Sequence, residues 1–268
     1  TETRLDPSAT HNIIMSSGSG TKDYLQQIFP SLWTALPPSM IDTIFPLTTL
    51  ENCATPMMTF QGVEIRWPNL LLFCALGALV GFLGGISLLR EKPLYARSFM
   101  YFGVMNVTAL LTHSFFSPDS VAWNVTYALD MVATSTSSFN LILAVLEDSG
   151  WTPSRFVDYY FVNAFAIQWL EITLKPGGGW WIAEILYIGV TNIAAIVAFQ
   201  GLVVKTVLRE GLVSSRCMCL GAVLAGVAMF IAGPLADASM CLVIGNPWGN
   251  MMSAAFLGCD IAFFGIYM

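Results

Sequence analysis

Residues 68–89 read PNLLLFCALGALVGFLGGISLL, twenty-two positions without a single charge. At 1.5 Å per residue a helix of this length reaches about 33 Å, enough to cross the hydrocarbon core of a bilayer. The run is continuously apolar, whereas a strand of a membrane barrel alternates apolar and polar residues, so the spanning element is helical. Gly77, Gly81 and Gly85 recur at intervals of four along it, a stripe of small residues that lets a second helix approach closely. Packing inside the molecule is the expected use of that stripe, with self-association of two copies as the alternative.

Outward from this stretch, six more apolar runs follow, at 97–117, 121–146, 157–175, 180–204, 216–236 and 247–268. The expected fold is therefore an all-α membrane protein, a seven-transmembrane-helix bundle over 67–268 behind an extramembrane tail over 1–66. Composition agrees: of 268 residues 56% are hydrophobic and 10% charged, against about 45–50% and about 25% in soluble domains. A net charge of -6 with only 11 basic residues leaves no electrostatic footprint for nucleic acid. The partners expected instead are membrane lipids and other membrane subunits.

The tail is punctuated by Pro30, Pro37, Pro38 and Pro46, which keep any helix there short. Leu25, Ile28, Phe29, Leu32 and Trp33 recur at helical spacing, which predicts short interfacial helices that pack against loops or form a lid over the bundle. Orientation follows from basic residues beside the spans. Arg90, Lys92, Arg97, Arg155, Lys205, Arg209 and Arg216 flank one side and Lys175 alone the other, which puts the N-terminus outside and the C-terminus inside. Trp67, Trp123, Trp151, Trp180, Trp181 and Trp248 fall near span ends, where interfacial indoles are expected. On this topology Cys53 and Cys241 share the outer side, so a disulfide between them, stapling the tail over the bundle, is expected.

Ionisable residues inside the runs carry the functional argument, because each costs at least about 2.5 kcal/mol at mid-bilayer. They are His113, Asp130, Glu171, Glu184 and Asp260. No Lys or Arg lies at the centre of a run, so the acids need protons, water, hydrogen bonds or a cation. His113, Asp130, Glu171 and Glu184 fall in the outer half and Asp260 deeper, which predicts an outward-opening polar cavity. The polar run Thr134–Ser138 is expected to bond neighbouring helices or to line that cavity.

The stretch Leu111-Thr112-His113-Ser114-Phe115, followed by Ala128-Leu129-Asp130-Met131, resembles the second and third spans of the progestin and adipoQ receptors and the alkaline ceramidases. That resemblance implies a seven-helix bundle in which a span-two His, a span-three Asp and two span-seven His hold zinc, often for hydrolysis of a sphingolipid amide. It assigns His113 and Asp130 as metal ligands and sets Asn246 and Asn250 where the family has its span-seven histidines. The family's span-two Ser falls on Ala109, and the one other histidine of the chain is His11, so the zinc set is incomplete. The leading expectation is a bundle that binds a lipid or other amphiphile, as a non-catalytic receptor or accessory subunit, in a cavity of His113, Asp130, Glu171, Glu184, Asn246 and Asn250. The rivals are a metal-dependent intramembrane hydrolase and a proton or cation pathway.

Overall fold

The computed structural model describes residues 26–40, 57–118, 120–152, 154–175, 178–203 and 250–267, with a few further positions between 224 and 248. A short helix, α1 (Pro30–Ala35), comes first, then a hairpin of β1 (Met57–Phe60) and β2 (Val63–Arg66). Six long helices follow: α2 (Leu70–Leu88), α3 (Pro93–Leu110), α4 (Val121–Asp148), α5 (Arg155–Leu174), α6 (Trp181–Val203) and α7 (Met251–Tyr267). Among these, α2, α4 and the 181–198 part of α6 are long and apolar enough to cross a membrane, and the 252–267 part of α7 is apolar but shorter. The helices follow the apolar runs of the sequence closely; most of the 216–236 run, together with Cys53, Cys241 and Asn246, lies outside the described residues.

Helix α4 is the centre of the bundle, packed against α3, α5 and α6, while α2 bridges α3 and α7. Small residues make the α2–α3 seam possible. A β-carbon on Gly81 would collide with the backbone of Gly103, and one on Gly84 with the Phe99 ring. The glycine stripe is thus spent inside the molecule, as expected.

The polar run of α4 serves both of its expected uses. Ser98 and Ser137 exchange hydrogen bonds, each hydroxyl donating to the other's backbone carbonyl at 2.8 Å, which ties α3 to α4. Gln168 of α5 donates to Ser135 Oγ at 3.1 Å and to the carbonyl of Ala183 at 3.0 Å, linking α4, α5 and α6. With lipid on the outside, such bonds supply cohesion that apolar contact alone does not.

One element of the tail has no counterpart in the sequence reading: residues 57–66 form a hairpin, beside the short helix α1. Gln61 and Gly62 both have positive φ, 49° and 82°, the conformation that matches a two-residue turn to strand twist. Of the six tryptophans read as interfacial, Trp67, Trp123 and Trp180 are buried within the protein, whereas Trp151, Trp181 and Trp248 are exposed. Trp123 and Trp180 join Tyr127 in an aromatic floor, Trp123 stacking on Tyr127 at 4.7 Å and Trp180 lying 5.5 Å from it. Indoles at a span end are equally suited to lipid headgroups and to closing the end of a bundle, and packing decides between them.

Candidate functional site

His113 is positioned by an irregularity in the backbone. Helix α3 does not stop at Leu110 but continues as a π-turn, Leu111–Phe115. Wider turns of this kind recur at functional sites because they re-aim one side chain relative to the rest of the helix. The π-turn leaves carbonyls unmet at its C-terminal end, and Arg66 from β2 reaches them. Its Nη2 donates to the carbonyls of Thr112, at 3.3 Å, and Phe116. A guanidinium at a helix C-terminus also meets the negative end of the helix dipole. Arg66, at the end of the 1–66 tail, thus supports the His113 turn.

Across the gap, α4 presents Asp130. His113 Nε2 lies 3.3 Å from Asp130 Oδ2, with both side chains buried. Thr134, one turn further on, donates to the Asp130 carbonyl at 2.8 Å. Phe256 of α7 packs edge-on to the imidazole at 6.4 Å between ring centres. The pair sits in the wall of a cavity of about 400 Å³, within the range of small-molecule sites.

That cavity runs between α3, α4, α6 and α7. Along α4 its lining passes from Asp130 through Thr134, Ser137 and Ser138 to Leu141, eleven residues or about 16 Å of helix. The remaining wall is mostly apolar, with Phe102, Met105, Tyr187, Met252, Phe256, Phe263 and Ile266, and small alanines from α6 and α7. One end is therefore polar, at His113 and Asp130, and the other, at Leu141, Ala198 and Ile266, is apolar.

The N-terminal segment closes the polar end. Ile28 and Phe29 both line the cavity, and Phe29 lies 5.6 Å from the Tyr187 ring. The segment is held by Glu184, which is fully buried. Glu184 Oε1 accepts from the Ser31 amide at 2.9 Å and Oε2 from the Leu32 amide at 2.7 Å. The free N–H groups at the start of α1, where Pro30 sets the first turn, thus receive a carboxylate from α6. Tyr127 Oη adds a bond to the Ile28 carbonyl. The apolar residues of this segment pack against the bundle at the cavity wall.

The other expected site residues sit elsewhere. Glu171 Oε2 accepts from the Ala183 amide at 2.8 Å, in the first turn of α6, and its Oε1 lies 3.3 Å from Lys175 Nζ. Asn250 caps α7, its Oδ1 accepting from the Ser253 amide at 2.9 Å and from Ser253 Oγ at 3.1 Å. Asn69 joins Ser253 from the foot of α2. Neither glutamate nor Asn250 lines the cavity that holds His113 and Asp130. Both glutamates satisfy helix N-termini, Glu184 with no Lys or Arg partner among the described residues and Glu171 with Lys175 beside it.

Zinc sites with a catalytic role take three protein ligands. Among the described residues no group of three or more His, Cys, Asp and Glu is placed to hold a metal, so His113 and Asp130 alone do not fit that set. An Asn250→Ala variant should lose about 1 kcal/mol of stability, the usual cost of a missing N-cap, and leave ligand binding in the cavity unchanged. Thermal melts and binding titrations check this; a large fall in binding would instead place Asn250 in the site.

The chain matches no family model, no curated protein and no solved structure. What the site does is therefore argued from its geometry and chemistry.

Proposed function

We propose that this chain is a multi-pass integral membrane protein of seven crossing helices, with its N-terminus outside and C-terminus inside. It binds one amphiphile, as a non-catalytic receptor or accessory subunit, and shares the architecture of the ceramidase and adipoQ-receptor group without the full zinc set. Three helices with the length and apolar composition of membrane spans support the setting. The observation that carries the ligand class is the polarity of the cavity, with a buried His–Asp pair beneath a lid and an apolar slot leading away from it.

A headgroup with a hydroxyl or amide suits the pair, since it donates to the Asp130 carboxylate and accepts from the imidazole in one geometry. The hydrocarbon chain then follows α4 toward Leu141, Ala198 and Ile266. The hydrolytic alternative needs a further ligand beside His113 and Asp130, and the pathway alternative needs Glu171 and Glu184 to face the same passage as Asp130. Neither arrangement is favoured by the hydrogen bonds those glutamates make.

The test is mass spectrometry of lipid retained by the purified protein in nanodiscs. Wild-type protein should hold one amphiphile per chain. Asp130→Leu should lower its affinity at least tenfold, as expected when a buried polar contact is removed. Ala198→Phe should shorten the preferred chain without abolishing binding. Retention of no amphiphile, or equal binding by Asp130→Leu, overturns the proposal.

A further inference from the structure

One buried acid on α7 plays no part in the cavity. Asp260 on α7 is buried, and neither of its carboxylate oxygens has a hydrogen-bond partner among the described residues. Facing it from α3 is Asn106, fully buried, whose Oδ1 also lacks a partner. The orientation of that amide is fixed, because its Nδ2 donates to the Phe102 carbonyl at 3.0 Å. Hence an acceptor, not a donor, is turned toward the carboxylate.

Gly77 of α2 forms the third wall. A β-carbon there would collide at once with Asp260 Oδ1 and Asn106 Oδ1, so the two oxygens converge on one small space beside the glycine. Three acceptor oxygens without a donor, in a buried seam, repel one another and are costly unless positive charge joins them. No ion pair reaches Asp260 among the described residues.

We propose that Asp260 and Asn106, with Gly77 as the backing wall, hold a small monovalent cation of the size of sodium between α2, α3 and α7. Charge sets the valence: one carboxylate balances one positive charge, and a divalent ion would remain half uncompensated. Sodium dependence at fixed pH separates a metal cation from a proton, since either would sit between Asp260 Oδ1 and Asn106 Oδ1. Because the site couples three helices, the ion acts as a clamp on the bundle, separate from the amphiphile cavity and independent of how that cavity is read.

The test is thermal unfolding of the full chain in nanodiscs, in sodium chloride against choline chloride at equal ionic strength and fixed pH. Sodium should raise the midpoint by a few degrees and saturate, as a ligand of the native state does. Asp260→Asn should lose the response, and its new amide can donate to Asn106 Oδ1, so it should melt in choline no lower than wild type. Asn106→Leu, which keeps the carboxylate but removes one oxygen, should need at least tenfold more sodium for half the shift. A wild-type midpoint indifferent to sodium, a sodium response kept by Asp260→Asn, an unchanged requirement in Asn106→Leu, or a midpoint moved by pH alone would each overturn the proposal.

Discussion

Replacement of Glu184 by alanine is expected to release the 26–35 segment from the bundle while the long helices stay folded. Two backbone amides, of Ser31 and Leu32, lose a carboxylate acceptor at once. Hydrogen bonds to a charged group contribute about 1.5–3 kcal/mol each, and the segment's other ties include the Tyr127 bond to Ile28, the Phe29–Tyr187 ring contact and apolar packing. The variant should exchange the Ser31 and Leu32 amide hydrogens at least tenfold faster than wild type. Amphiphile should dissociate correspondingly faster, because Ile28 and Phe29 no longer cover the cavity. Glu184→Gln, which retains an acceptor on one side only, should fall between the two. Unchanged exchange at Ser31 and Leu32 would show that apolar packing alone holds the lid.

The second large effect concerns the glycine stripe. Gly81→Ala places a methyl group against the backbone of Gly103 and the carbonyl of Phe99, 2.8 Å away, and neither is the flexible end of a side chain. The seam between α2 and α3 must open, at a cost of about 1–3 kcal/mol or more for overpacking at rigid atoms. The same substitution at Gly189 of α6 meets nothing within 4 Å, and there alanine should stabilise by about 0.5–1 kcal/mol through helix propensity. Comparison of the two variants by thermal or denaturant unfolding checks the argument. Equal effects would mean that helix propensity, rather than the α2–α3 contact, sets the response.

Helix positions were the part most legible in the chain. A run such as 68–89 has few other options in lipid, since every backbone amide must find its partner within the segment. Observed helices differ from the apolar runs by only a few residues, and His113 and Asp130, set together as a pair in the sequence only by the family resemblance, face each other at 3.3 Å. The hairpin at 57–66 was missed, although Gln61-Gly62 between Met-Met-Thr-Phe and Val-Glu-Ile-Arg offered a turn signal. Its importance lay beyond the reach of local pattern, because Arg66 acts fifty residues away, on the carbonyl of Phe116.

Sequence alone determined that this protein is apolar and helical and that acids lie inside its apolar runs, because composition and periodicity are properties of single segments. It could not tell which acid does what. Asp130, Glu171, Glu184 and Asp260 look alike along the chain, each a carboxylate in an apolar run. Only the tertiary structure distributes them: Asp130 to an imidazole, Glu171 and Glu184 to the N-termini of α6 and α1, and Asp260 to a facing carboxamide oxygen. The physical reason is that a buried charge is defined by what the other helices bring to it, and those partners lie from about a dozen to more than a hundred residues away in sequence.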